Sequence, residues 1–186
     1  MERGEKEMSS DEGLVLLESL KRSLSYDFDI FDVHPFYEYG FDIVAKATIE
    51  NYRTIFNAVK FDRFYSFEFR LVKYLKVYDL KKLKKAIEIV KNEYLKLFRP
   101  SSDVIGTVVS LIFLAPLIDS KGIEFVEKFK FQKSFLLGLK GKYEIRIIFF
   151  DMKNKKVYTN KYAIPLKVHY EKILKKGVVP YKEEVF

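Results

Sequence analysis

Cysteine and tryptophan are absent from this chain of 186 residues, and histidine occurs only at His34 and His169. Without cysteine the chain cannot form a disulfide, a thiolate zinc site, an iron–sulfur cluster or a cysteine nucleophile. Two histidines leave little for a histidine-based metal centre. The sequence also contains neither a G-x-S-x-G nucleophile elbow nor the glycine spacing of a phosphate-binding loop. These absences favour a protein without catalytic activity over an enzyme.

Long apolar runs are equally scarce. The uncharged stretch Val104–Ile118 has 15 residues, whereas a transmembrane helix needs about 20. Its β-branched residues predict a central strand that is buried on both faces. The N-terminus carries acidic residues where a secretory signal has a basic start and an apolar core. We therefore expect a cytoplasmic protein with no membrane partner.

Aromatic residues and lysine are abundant. With 18 Phe and 13 Tyr, large rings are expected to dominate the core. Charged residues make up 32% of the chain and are mostly Lys and Glu, which is typical of a thermophile-like surface.

Charge is distributed unevenly along the chain. Residues 1–52 carry 5 Lys and Arg against 12 Asp and Glu, residues 53–99 carry 13 against 5, and residues 100–186 carry 16 against 9. The basic surplus after residue 52 predicts an anionic partner. We expect part of that surplus to be neutralised by the acidic segment, inside the fold or across a dimer.

Apolar spacing and turn residues predict the secondary structure. They place helices near 11–24, 79–98, 120–129 and 165–177, and strands near 26–33, 41–51, 61–78, 104–115, 130–138, 143–151 and 157–164. The order is α-β-β-β-α-β-α-β-β-β-α, an α+β fold with a mainly antiparallel or mixed sheet. We expect a single domain over 11–178 between a disordered acidic tail at 1–10 and a C-terminal tail at 179–186. A division into two subdomains near 99–103 is the alternative.

Two aspartates are candidates for a metal site. Asp27 and Asp29 occupy alternate positions of a predicted strand and so share a face, where carboxylate oxygens suit a hard cation such as Mg²⁺. A solvated strand face explains the same pattern, because charges on an edge strand discourage aggregation. Two carboxylates alone are a weak signature, and we assign no metal site to them.

A second pattern concerns catalysis. A helix, three strands, a helix and a strand is also the order of the PD-(D/E)xK nuclease core, where an acid on the second strand and an acid-x-Lys on the third bind Mg²⁺. Here Asp42 lies on the second predicted strand, and Glu68 and Arg70 lie on the third. No proline precedes Asp42, and Arg70 replaces the lysine and cannot act as a base. The pattern falls short of a family resemblance, and a same-face ion pair between Glu68 and Arg70 is the simpler explanation.

Basic residues concentrate around the third strand and the helix after it. Lysine and arginine neutralise phosphates, and exposed rings stack on bases. The residues that we predict to contact nucleic acid are Arg70, Lys73, Tyr74, Lys76, Lys81, Lys84, Lys85 and Lys91. Solvated lysines on an amphipathic helix are the competing interpretation.

Three functional hypotheses result. The leading one is a non-catalytic binding module for an anionic partner, most plausibly nucleic acid. The first alternative is a nuclease-like enzyme that requires Mg²⁺ and uses Asp42 and Glu68; no cofactor is expected otherwise. The second alternative is a structural or assembly subunit, a homodimer or larger homo-oligomer, because long aromatic strands have edges that need cover.

Overall fold

The computed structural model describes residues 10–55, 59–99 and 101–176. In these ranges the helices and strands are, in chain order, α1 (Ser10–Leu24), β1 (Asp29–Ile30), α2 (Pro35–Glu38), β2 (Ile43–Ile55), β3 (Val59–Tyr74), α3 (Leu80–Asn92), β4 (Val104–Ala115), α4 (Ser120–Lys128), β5 (Gln132–Ser134), β6 (Lys142–Asp151), β7 (Lys156–Thr159) and α5 (Ile164–Lys176). The α+β class and the predicted order are confirmed, with the one-turn helix α2 added. The predicted C-terminal tail at 179–186 and residues 1–9 of the predicted N-terminal tail lie outside the described residues.

The strands form one mixed sheet in the order β1-β2-β3-β4-β6-β5, and β7 also pairs with β6. The pairs β3–β4 and β4–β6 are parallel, whereas all other pairs are antiparallel. The parallel strands occupy the middle of the sheet because α3 and α4 provide the long crossovers that parallel pairing needs. Strand β4 is buried from Val109 to Ala115, as its uncharged sequence predicts.

Helices cover both faces of the sheet. On one face, which we call the α3/α4 face, Leu83 and Ile87 of α3 and Val126 of α4 pack in a single cluster against the sheet. On the other, the α1/α5 face, Leu20 of α1 and Leu174 of α5 pack against a second cluster. Alternate residues of each strand belong to alternate faces, as the pleat requires. The two faces therefore offer two separate surfaces for function.

Several predicted elements are shorter in the structure. The predicted strand 26–33 is reduced to β1, because the backbone amides of Asp27 and Phe28 still bond to Leu24 at the end of α1. The predicted strand 130–138 is reduced to β5, because Leu136 and Leu137 have left-handed φ angles of 47° and 53°. The helix predicted over 79–98 ends at Asn92 and is followed by a single 3-10 turn.

Candidate functional site

Two candidate residues, Glu68 and Arg70, lie on the α1/α5 face. The Arg70 side chain is only 7% exposed and forms an ion pair of 3.0 Å with Glu68. Its guanidinium donates a hydrogen bond of 2.6 Å to the Ser110 hydroxyl and lies 4.9 Å from the ring centroid of Phe28. The same-face ion pair expected from the sequence is therefore present, and the arginine is turned away from solvent.

The ion pair belongs to a larger cluster across three strands. Arg70, Ser110 and Arg146 stand side by side on β3, β4 and β6. Arg146 bonds to Glu144 at 3.0 Å and lies 3.8 Å from the second carboxylate oxygen of Glu68. Two arginines thus face two glutamates. Because the four charges cancel, the cluster offers no surplus positive charge to an anion.

The carboxylates of the nuclease hypothesis do not converge. Asp42 accepts a hydrogen bond of 2.7 Å from the backbone amide of Tyr74, at the far end of β3. Glu68 lies six residues earlier on that strand, which at about 3.3 Å per residue is roughly 20 Å away. Asp27 and Asp29 are both exposed, one in the turn after α1 and the other in β1. Within the described ranges, no group of three or more acidic or histidine side chains is arranged to hold a metal ion.

The predicted nucleic-acid-binding residues are divided between the two faces. Lys73 lies on the α3/α4 face, where it donates to the carbonyl of Tyr39 at 3.0 Å and where burial lowers its pKa. Tyr74 lies on the α1/α5 face, close to Gly13 of α1. Lys76, in the loop after β3, is exposed. Of the four predicted lysines of α3, three are exposed and Lys91 is half-buried: Lys81, Lys84, Lys85 and Lys91. The eight residues therefore do not form one patch.

A different basic surface appears between α3 and α4. An open groove of about 550 Å³ separates the two helices, and we call it the α3–α4 groove. It is lined by Leu80, Lys84, Lys121, Glu124, Phe125, Lys128, Phe129 and Lys130. Four lysines against one glutamate give the lining a net charge of +3. Lys84 is the one predicted residue among them.

The local sequence fixes the two helices that form this groove. Asp79 caps α3 by accepting from the Lys81 amide at 2.7 Å, and Asp119 caps α4 by accepting from the Gly122 amide at 2.6 Å. The Tyr78 hydroxyl donates to Asp119 at 3.1 Å and so ties the start of α3 to the start of α4. Burial and the neighbouring carboxylate raise the pKa of Tyr78. A Cβ at Gly122 would lie 2.0 Å from the Tyr78 oxygen, so this close approach requires glycine.

Aromatic rings form the floor of the groove. Phe125 and Phe129 are half-buried with ring centroids 6.1 Å apart, and the Lys84 ammonium lies 5.1 Å from the Phe125 centroid. Lys128 pairs with Glu124 at 2.6 Å, but both side chains are largely exposed and such a pair is easily exchanged for another partner. The groove thus combines exposed lysines with half-buried aromatic rings.

Lysines also lie over rings beyond the groove. Lys91 lies 5.8 Å from the Phe131 centroid, and Lys133 lies 4.3 Å from that of Tyr94. Lys84 and Lys91 are seven residues apart on α3, two helical turns, so they project from the same side of the helix. The basic and aromatic character of the groove therefore continues towards β5.

Sequence reasoning missed most of the groove. Lys121, Lys128 and Lys130 were not singled out, although the spacing of Phe125 and Phe129 indicates one side of a short helix. That spacing shows which residues of α4 share a side, but not that α3 lies opposite. The contact that brings the helices together joins residues 41 positions apart.

Comparison with known proteins identifies a family but not an activity. No curated protein and no solved structure matches the chain. In the part of the chain that the structure describes, no helix is long and apolar enough to span a membrane. Residues 13–172 match the model of a family described as a domain of unknown function, DUF8052. Since this match covers most of its length, the chain belongs to the DUF8052 family.

Proposed function

We propose that the protein is a non-catalytic nucleic-acid-binding module and that the α3–α4 groove is its binding surface. The observation that carries this proposal is the lining of the groove, in which four lysines surround a floor of phenylalanine rings with a single carboxylate among them. Neither the neutral cluster around Arg70 nor the separated carboxylates offers a comparable surface.

The chemistry of the groove suits a polyanion with aromatic bases. Each lysine that neutralises a phosphate releases condensed counterions, so the affinity should fall with salt by a log–log slope of about −0.9 per contact on duplex DNA. Stacking of a base on an aromatic side chain contributes roughly 1–3 kcal/mol. Four lysines in the lining set an upper limit of about −3.6 for the slope that the groove itself supplies.

Fluorescence anisotropy with labelled single-stranded and duplex oligonucleotides tests the proposal. The groove variant is Lys84→Ala with Lys121→Ala, and the matched control is Lys172→Ala with Lys175→Ala, two exposed lysines of α5 on the opposite face. Each lost phosphate contact should reduce the affinity about eightfold at 0.1 M salt. We expect a loss of roughly 60-fold for the groove variant and less than about threefold for the control.

Two results would contradict the proposal. One is the absence of binding by the unmodified chain to any oligonucleotide at low salt. The other is an equal loss of affinity in both variants, which would mean that binding follows from a lysine-rich surface as a whole.

The nuclease-like alternative has less support. It requires two carboxylates at one Mg²⁺ ion, whereas Asp42, immediately before β2, lies beside Tyr74 at the end of β3, six residues along that strand from Glu68. Each carboxylate also already accepts a hydrogen bond. Metal-dependent cleavage that is lost in Glu68→Gln but retained in Asp42→Asn would revive a catalytic role for the cluster around Arg70.

A further inference from the structure

The two edges of the sheet carry opposite charge. Strand β1 forms one edge, and the other is formed by β5 and, further along β6, by β7. The segment 25–41, which contains β1, has four acidic residues and no Lys or Arg: Asp27, Asp29, Asp32 and Glu38. The segment 129–143, which contains β5, has four lysines and no Asp or Glu: Lys130, Lys133, Lys140 and Lys142. All eight side chains are exposed.

Each of these segments also exposes large apolar side chains. Tyr26 and Val33 are exposed to 63% and 87% at the acidic edge. Leu137 is fully exposed at the basic edge, with Leu136 and Leu139 exposed to 61% and 75% beside it. Leu136 and Leu137 also adopt left-handed φ angles, which are unfavourable for residues with a branched side chain. An apolar centre with charges around it is typical of a protein–protein interface.

The backbone geometry allows the two edges to meet. Through the successive pairs Asp29–Lys46, Lys46–Phe69, Phe69–Val109 and Val109–Ile145, β1 lies level with Ile145 of β6. Phe131, next to β5, bonds to that same Ile145 at 3.1 Å. The two edge strands are therefore at nearly the same height in the sheet.

The directions of β1 and β5 are also compatible with antiparallel pairing between two copies. Strand β1 runs parallel to β3, and β5 runs opposite to it. A second copy that continues the sheet, turned so that it follows the sheet twist, would thus set its β5 antiparallel to β1 of the first. Among the described residues no strand pairs with the outer edge of either.

We propose that the basic β5 edge of one copy docks on the acidic β1 edge of a second copy, in a head-to-tail contact. The opposite charges at the two edges select this partner, because a two-fold dimer through either edge would set like charges against each other. Unlike such a dimer, the contact leaves one edge free at each end, so copies add into a chain or close into a ring. Lys130 also lines the α3–α4 groove, but this contact requires no nucleic acid bound there.

Charge reversal followed by mixing tests the contact. The acidic-edge variant is Asp27→Lys with Asp32→Lys, and the basic-edge variant is Lys133→Glu with Lys140→Glu. Each pair of substitutions leaves two original charges beside two reversed ones, so the net charge of the β1 edge segment rises from −4 to 0 in the first variant and that of the β5 edge segment falls from +4 to 0 in the second. Each variant thus loses one of the two complementary edges and should sediment as a monomer. A 1:1 mixture should associate again, because the unmodified β5 edge of the first variant can dock on the unmodified β1 edge of the second. Circular dichroism of each variant establishes that it is folded.

Sedimentation velocity over 1–100 μM protein at 50 and 500 mM salt provides the measurement. We expect the unmodified chain to associate at low salt, and its association constant to fall at least tenfold at high salt. Leu137→Ser should weaken the association at least tenfold, and Leu117→Ser, a leucine exposed elsewhere, should leave it unchanged.

Three results would overturn the proposal. The first is a monomeric unmodified chain at every concentration and salt, in which case these edges meet a different partner or none. The second is association of either charge variant alone to the extent of the unmodified chain. The third is a mixture of the two folded variants that remains monomeric.

Discussion

Replacing Arg70 by methionine tests whether the cluster on the α1/α5 face is a structural element of the core. The substitution keeps a long side chain but removes the ion pair with Glu68 and the hydrogen bond to Ser110. Ser110 is fully buried, so its hydroxyl would lose a charge-assisted bond worth about 1.5–3 kcal/mol. Glu68 is partly exposed and lies near Arg146, so loss of its ion pair with Arg70 should add only about 1 kcal/mol to the destabilisation.

The expected total is a destabilisation of about 3 kcal/mol. For a chain of this size that corresponds to a decrease of roughly 6–12 °C in the melting temperature. Urea unfolding followed by far-UV circular dichroism measures the free energy directly, which suits a chain without tryptophan. Arg146→Met is the matched control, because this arginine is more exposed, and we expect it to cost about 1 kcal/mol or less.

A double-mutant cycle separates the ion pair from the rest of the cluster. Glu68→Gln alone leaves the Arg70 charge buried beside a neutral amide, whereas the double variant Arg70→Met/Glu68→Gln removes both charges. We expect the double variant to cost about 1 kcal/mol less than the sum of the single variants. A cost below about 1 kcal/mol for Arg70→Met, or additive effects, would refute the reasoning, because the guanidinium would then not depend on these partners.

Two further predictions concern the elements around the cores. Gly122→Ala should lower the free energy of unfolding by about 1–3 kcal/mol and loosen the start of α4, because the new Cβ would displace the Tyr78 hydroxyl. Thermal melting checks this prediction. The control is Gly106→Ala, because the atom nearest to the new Cβ would be 3.4 Å away. Burial, with a smaller effect of Lys96, lowers the pKa of His34, whose Nδ1 caps α2. The imidazole of His34 therefore binds a proton more readily in the unfolded chain than in the folded one, so the stability should fall as the pH decreases below 6.5. His34→Asn keeps a capping side chain that does not titrate and should remove the contribution of His34 to this pH dependence.

Much of the fold could be predicted from patterns of residues that are close together in the sequence. Leu83, Ile87 and Val90 recur at helical spacing and lie in the core face of α3, and Asp79 caps that helix as its position indicates. The uncharged run became the central strand β4 because a strand with parallel neighbours and helices on both faces is buried on both sides. These elements are determined by residues close together in the sequence.

The functional surface depends on contacts that no local pattern contains. The predicted nucleic-acid-binding residues are close together in the sequence, but the pleat of β3 places Lys73 and Tyr74 on opposite faces of the sheet. At the α3–α4 groove, a hydrogen bond between Tyr78 and Asp119 joins residues 41 positions apart. Its cations come from both helices and become one surface only after the sheet has placed the helices side by side.

The excess positive charge of the chain is unevenly distributed over the fold. Arg70 and Arg146 contribute nothing outward, because Glu68 and Glu144 neutralise them within the sheet. Four exposed acidic residues of the first quarter, Asp27, Asp29, Asp32 and Glu38, lie along the β1 edge and not beside the α3–α4 groove. The net charge of +8 therefore conceals an uneven distribution, which includes an acidic edge, a neutral cluster and a basic side that runs from the groove to β5. A partner that responds to this charge should meet one side of the molecule, and variants on that side should change the salt dependence of binding more than equal changes elsewhere.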